Sequence, residues 1–189
     1  MKNLEIRNDD VLQLGGFTSS QSGALRGKSM FQWFLEVDKF FEKYNHKMIL
    51  AICSEGILSN DPEYIEWVKH IKKNRDRYII ELHGFDHKNP KYMTEEDLLD
   101  SLAVAKLMIE ETFNCDVTTW YVPFGRRGRH EKGDEVCEKL GIKMYIPDGK
   151  VDAHKWFNNK KMSHVNFHSW CGTQNRIIKK LLEELYRWH

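Results

Sequence analysis

The chain of 189 residues is 41% hydrophobic and 30% charged, the profile of one packed globular domain and too short for two sizeable ones. Its 29 Lys plus Arg against 28 Asp plus Glu leave a formal charge of +1, which argues against nucleic acid or another polyanion as partner. Four dispersed cysteines, Cys53, Cys115, Cys137 and Cys171, form no CxxC, and no apolar stretch is long enough to span a bilayer, so free thiols in a reducing compartment are expected.

The opening "MKNLEIRNDD" runs straight into charge and lacks a signal-peptide core, from which a cytoplasmic location is expected. "LEIRNDDV" reads as the first strand. A long loop, residues 14 to 29, follows it; loops of that length in compact domains are commonly functional. "SMFQWFLEVDKFFEKY" predicts a helix capped by Ser29, with Met30, Trp33, Phe34, Val37, Phe41 and Tyr44 on one face. "KMILAICS" is almost continuously apolar, as in a strand buried on both faces. "NDPEYIEWVKHIKK" predicts a second helix with Asp61 as cap, Pro62 at its first position and Ile65, Val68 and Ile71 inward. "RYIIELHG" is the next strand. "MTEEDLLDSLAVAKLMIEETF" predicts a third helix, with a capping-box pattern from Thr94 to Asp97 and Leu98, Leu102, Ala105 and Ile109 inward. "TTWYVPFG" is a strand ending in a Pro/Gly break. "EKGDEVCEKLG" is a short helix stopping at Gly141. "KMYIPDG" and "HVNFHSW" are further strands, and "QNRIIKKLLEELYRW" is a closing helix. About six β-α units without repeats or linkers predict a largely parallel α/β fold, with residues 1–189 forming a single domain.

In such folds the site lies at the carboxyl ends of the strands. Those ends carry Asp9 and Asp10, His83 and His87, the Pro123-Phe124-Gly125 turn, Asp148 and His168. Adjacent carboxylates at a strand mouth suit either a polar turn or a metal ligand beside a base. His83 and His87 on a straight strand would lie roughly 13 Å apart, too far to share an ion. Gly84 permits the turn that would bring them together, and one Asp plus two His with an open position suits catalytic zinc. His164 and His168 have the same spacing, but "VNF" between them reads as strand. That pair is not expected to chelate: His164 reads as structural, and His168 has the place for proton transfer. The P-x-G turn is an ordinary turn or a presenter of a backbone N–H to an oxyanion. Arg126 and Arg127 in "RRGRH" form a solvated loop or meet a substrate phosphate or carboxylate. Trp170 is a candidate for the pocket wall. Cys53 and Cys171 read as buried thiols.

Together these pieces resemble the polysaccharide deacetylases with the NodB homology domain, carbohydrate esterase family 4. "IRNDD" is similar to the family's Asp-Asp motif, "HGFDH" to its H-x-x-x-H, "YVPFG" to its R-x-P-x-G, "IPDG" with Asp148 to the fourth motif, and "VNFHSW" to the strand ending in His. The resemblance runs from residue 5 to about residue 170. It implies a distorted, incomplete (β/α) barrel and a divalent metal, commonly zinc, bound by Asp10, His83 and His87. Asp9 would be the general base, the Phe124 backbone N–H an oxyanion donor and His168 the general acid, acting on an N-acetylated sugar, phosphate-linked sugars among them. The chain departs from the family at Tyr121, where the family's arginine helps hold the base; Arg126 or Arg127 stands as its candidate replacement. It departs again at Val11 and Gly84. Two other readings stand beside a deacetylase of this family: a YdjC-like small-sugar deacetylase, and a carbohydrate-binding member that has lost catalysis, which Tyr121 favours.

Overall fold

The computed structural model describes residues 4–14, 27–146, 156–157 and 162–187. Asp148 and all but the ends of the loop at 14–29 lie outside the described residues. Six strands form one parallel sheet: β1 (Glu5–Val11), β2 (Met48–Cys53), β3 (Tyr78–Gly84), β4 (Thr119–Tyr121), β5 (Lys143–Tyr145) and β6 (His164–Phe167). Their order is β5-β4-β3-β2-β1-β6. The sheet curls through 209° about an axis, giving the incomplete barrel that the resemblance implies. Helices α1 (Met30–Lys43), α2 (Pro62–Lys73), α3 (Glu95–Phe113), α4 (Gly133–Lys139) and α5 (Gly172–Leu185) accompany the sheet, with short 3-10 turns between. No helix among the described residues is long and apolar enough to cross a membrane.

Local chemistry explains where the helices begin. Ser29 accepts from the Gln32 N–H while the Gln32 side chain accepts from the Ser29 N–H, a reciprocal cap that satisfies two donors the helix cannot. Asp61 accepts from the Glu63 N–H and Pro62 supplies a preset first turn. Thr94 accepts from the Asp97 N–H, and its hydroxyl donates back to the Asp97 carboxylate at 2.7 Å. The faces follow the predicted periodicity with one correction in α2. Ile65 is 40% exposed, and the inward face is led by Trp67 and Ile71. A tryptophan buries far more apolar area than an isoleucine, so the helix rolls to seat it against Phe34.

Strand geometry then divides the sheet into two faces. The face toward the helices carries Ile6, Met48, Leu50, Ile52, Ile80, Leu82, Val165 and Phe167, all buried. They pack with Phe34, Phe41, Trp67, Leu102 and Ile178 in one core. Each fully buried side chain of this size contributes about 1.5–3 kcal/mol, which holds the scaffold rigid behind the site. The concave face carries Arg7, Asp9, Glu81, His83 and Tyr121 instead. Glu81 is buried there, accepting from the Thr118 and Thr119 N–H groups and the Thr118 hydroxyl. The edge strands β5 and β6 meet through side chains: the Tyr145 and His164 rings lie edge to face, with centroids 5.5 Å apart.

Candidate active site

Both aspartates of β1 reach the same cleft, which a regular strand would forbid, because successive side chains point to opposite faces. The register against β2 shifts between Asn8 and Val11. Within that irregularity Asp10 has φ 60 and Leu12 φ 62, left-handed conformations that cost non-glycine residues energy and cluster at functional sites. The bulge turns Asp10 to the side that Asp9 already faces. On β3, Gly84 at φ 145 and His87 at φ 54 reverse the backbone after His83. The two imidazole centroids come to 5.1 Å.

The outcome is a convergence on one oxygen. Asp10 Oδ1 lies 3.3 Å from His83 Nε2 and 3.0 Å from His87 Nε2. One ligand atom from each of the three residues lies within 4.8 Å of the others. Buried Asp10 Oδ1 has no hydrogen bond of acceptable geometry, an expensive arrangement for a carboxylate. His83 Nδ1 is 2.6 Å from the Tyr121 carbonyl, which places the neutral ring's proton on Nδ1 and turns the Nε2 lone pair toward Asp10. A lone pair cannot donate to Asp10, but it can ligate a cation, and a carbonyl behind the ring is the usual way to fix a metal-binding imidazole. A tetrahedral zinc with bonds of ~2.0–2.1 Å separates its ligand atoms by ~3.3 Å, which fits both measured spacings. The set Asp10, His83 and His87 therefore suits a divalent ion, as the sequence pattern predicts.

The second oxygen of Asp10 faces the opposite wall. The Trp170 indole donates to Oδ2 at 3.2 Å, and His168 Nε2 is 3.5 Å from it. His168 follows β6 directly; its backbone N–H donates to Gln174 at 2.6 Å, and its ring lies 5.0 Å from Trp170. Burial raises the Asp10 carboxyl, but the surrounding imidazoles outweigh it and hold the group well below the ordinary range. For His87, burial pulls the pKa down, and the Asp10 carboxylate more than reverses that, leaving it raised.

Asp9 takes its partners from within the sheet. Arg7, two residues earlier on the same face, donates from Nε to Asp9 Oδ1 at 2.5 Å and from Nη2 to Oδ2 at 3.1 Å. Asn166, paired with Arg7 across β1 and β6, adds a bond to Oδ2 at 3.1 Å. Burial raises Asp9, but Arg7 overrides it and keeps the carboxylate below its usual range. The Arg7 guanidinium lies 4.1 Å from the Tyr121 ring centroid. Burial pushes the Tyr121 phenol up to about 12, so the ring is neutral.

Phe124 has φ 62 and projects a 44% exposed ring whose centroid is 4.8 Å from that of His87. A Cβ at Gly128 would sit 1.9 Å from the Pro123 carbonyl oxygen, so only glycine lets this turn close. The cleft has a volume of about 620 Å³ and brings together Asp9, Asp10, His83, His87, Phe124 and His168, with Arg126, Arg127 and Trp170 also lining it. Tyr121 and His164 line a separate, smaller cavity deeper in the lumen. Cys53 is buried, with its thiol pushed well up by burial, and half-buried Cys171 opens α5. Two participants are new relative to the sequence reading, Arg7 and Asn166. Arg7 takes the place on Asp9 expected of Arg126 or Arg127, which lie exposed at the rim. Its position two residues before Asp9, on the same face of a strand, was the available signal.

No protein-family model and no curated protein matches the chain. Solved structures do match over nearly its whole length. A family 4 carbohydrate esterase pseudoenzyme from Bacillus anthracis aligns with 98% of the chain at 15% identity and a TM-score of 0.67. The chain spans 62% of that protein's length. A family 4 carbohydrate esterase from Streptomyces lividans, solved with acetate, aligns at 13% identity and TM-score 0.66, covering 97% of this chain and 88% of the other. The peptidoglycan deacetylase PdaC from Bacillus subtilis aligns at 16% identity and TM-score 0.62, covering 97% and 84%. The resemblance seen in the motifs thus extends to the fold, that of the NodB-type polysaccharide deacetylases.

Proposed function

We propose that the chain is a metal-dependent hydrolase that removes the acetyl group from an N-acetylated amino sugar. The convergence of His83 Nε2 and His87 Nε2 on Asp10 Oδ1, with the His83 proton committed to the Tyr121 carbonyl, carries this reading. Asp10, His83 and His87 would hold the ion. Zinc suits their chemistry, and when bound it supplies Lewis acidity toward an acyl oxygen and acidifies water. Asp9, kept ionised by Arg7, takes the proton of the attacking water. The Phe124 backbone N–H stabilises the oxyanion, a role typically worth ~3 kcal/mol. His168 returns a proton to the leaving nitrogen. Water and the amide are consumed, and acetate and a free amine are released. A cleft of about 620 Å³ has room for one or two sugar rings. Arg126 and Arg127 at its rim suit a substrate bearing phosphate or carboxylate.

Metal analysis of the purified protein, followed by an acetate-release assay on N-acetylglucosamine oligomers with zinc, tests the reading. One equivalent of bound metal and acetate from the oligomers are expected. Asp9→Asn should abolish turnover while metal binding persists; loss of both, or of neither, removes Asp9 from the role of base.

The second reading is a carbohydrate-binding protein of this fold without catalysis. The tyrosine at position 121 favours it, and the Bacillus anthracis neighbour, itself described as a pseudoenzyme, shows that the fold occurs without activity. The Arg7 pair with Asp9 weighs against it. Bound sugar without acetate release would favour this reading, and acetate from small disaccharides alone would favour the YdjC-like one.

A further inference from the structure

We infer that Arg7 is the positioning residue of Asp9, and that Tyr121 is the platform that carries it. The inference rests on the deacetylase reading for its kinetic consequence, but the geometry stands by itself. Arg7 grips both oxygens of Asp9, at 2.5 and 3.1 Å, and Asn166 adds a third bond at 3.1 Å. A carboxylate offers about four acceptor positions. Three are taken, so Asp9 is locked against rotation with one position left for a proton. The same grip accounts for Asp9 staying out of the Asp10, His83, His87 cluster, although it is the next residue in the chain.

Tyr121 explains why the fork holds still. Its ring lies 4.1 Å from the Arg7 guanidinium, and the Tyr145 ring lies 5.4 Å from it. Guanidinium is planar and weakly hydrated, so it stacks on a neutral ring while its edge donates to the carboxylate. A buried ion pair is in general weak evidence for a stabilising role. Two buried charges are commonly replaceable by apolar side chains without loss of stability, and the side chains of Arg7 and Asp9 are only 7% and 6% exposed. An arginine two residues before the base and a tyrosine at 121 are therefore two halves of one device. On this inference Tyr121 supports the base, which removes the argument for lost catalysis that a tyrosine at this position gives.

Three zinc-loaded variants test this: Arg7→Leu, Arg7→Lys, and Arg7→Leu combined with Tyr121→Arg. Displacing a reacting group by about 1 Å costs ~100-fold, so Arg7→Leu should lower kcat by about that factor, with KM nearly unchanged. Arg7→Lys keeps the charge without the fork and should still lose about 10-fold. The double variant should regain at least about tenfold over Arg7→Leu, because an arginine rooted where the ring now stacks ends beside Asp9. Unchanged kcat in Arg7→Lys overturns the inference, and this variant decides if Arg7→Leu does not fold. A second arm needs no activity: in a zinc-soaked crystal of Arg7→Leu, or of Arg7→Lys if the former does not fold, Asp9 should leave its present orientation or join the ion. An Asp9 that stays in place overturns the inference. Wild-type protein that releases no acetate overturns the deacetylase reading instead, and the crystal arm still decides whether Arg7 positions Asp9.

Discussion

At the scale of single residues, Asp10 is the most constrained group in the cleft. One of its oxygens faces two imidazole nitrogens, the other an indole N–H and a third imidazole. In the metal-free protein His87 has the raised pKa, since its proton is what Asp10 attracts. The sign follows from linkage. Protonated His87 contributes stability that is fully present below its ordinary value of 6.5 and is lost as pH rises through the raised folded value. Zinc requires the unprotonated ring. Zinc affinity should therefore climb with pH throughout the range below the raised folded value and level off above it. Calorimetric titration with zinc over roughly pH 5.5–8.5 checks this; a flat affinity would remove His87 from the ligand set. Much of this was readable beforehand. His83, His87 and Asp10 stand at strand ends, and Gly84 announces the turn between the histidines. The bulge that swings Asp10 round was not readable: aspartate tolerates the left-handed region better than most residues, but "NDDVL" does not say which residue adopts it, and the register shift between Asn8 and Val11 falls there.

At the scale of elements, the turn after β4 is the tightest piece of the site. Phe124 at φ 62 and Gly125 at φ 57 fold it back, and residue 128 must then pass directly over the Pro123 carbonyl. Backbone against backbone has no flexible partner to give way. Gly128→Ala should destabilise the protein by about 1–3 kcal/mol, as overpacking does, and should lower catalysis as well, since the Phe124 N–H moves with the turn. Urea unfolding monitored alongside acetate release would show both losses; an unaffected midpoint would mean the turn is softer than it looks. Helices were the most legible elements, because Ser29, Asp61 and Thr94 cap them locally. The inward face of α2 was less so: periodicity allows either Ile65 or Trp67 inward, and only the aromatic neighbours Phe31 and Phe34 select Trp67. The partner of Asp9 was sought near Tyr121 in sequence. It lies near Tyr121 in space, on a strand more than a hundred residues earlier.

For the whole molecule, an ion held by Asp10, His83 and His87 would tie β1 to the turn after β3 at the open end of the sheet. A ligand at a hundred times its dissociation constant stabilises a fold by about 2.7 kcal/mol, which for a chain of this size corresponds to roughly 5–10 °C. Chelation should lower the melting temperature by that amount, and zinc should restore it; a melting point indifferent to both would argue against a resident metal. The order of the strands could not be read from hydrophobic pattern alone, since every strand is parallel and the pattern does not say which neighbours which. Sidedness was legible and neighbours were not. The meeting of Tyr145 with His164 has a mechanical consequence. Everywhere else along the sheet, adjacent strands are laced by backbone hydrogen bonds, and parting them means breaking a ladder. Between β5 and β6, among the described residues, no strand pairing runs, and a contact of two rings worth about 1 kcal/mol joins them. The half-barrel thus has a seam, with Asp9, Asp10 and His168 on one bank and the Phe124 turn on the other. The side chains of the two banks are therefore held in register through the continuous sheet behind them rather than by a ladder across the seam.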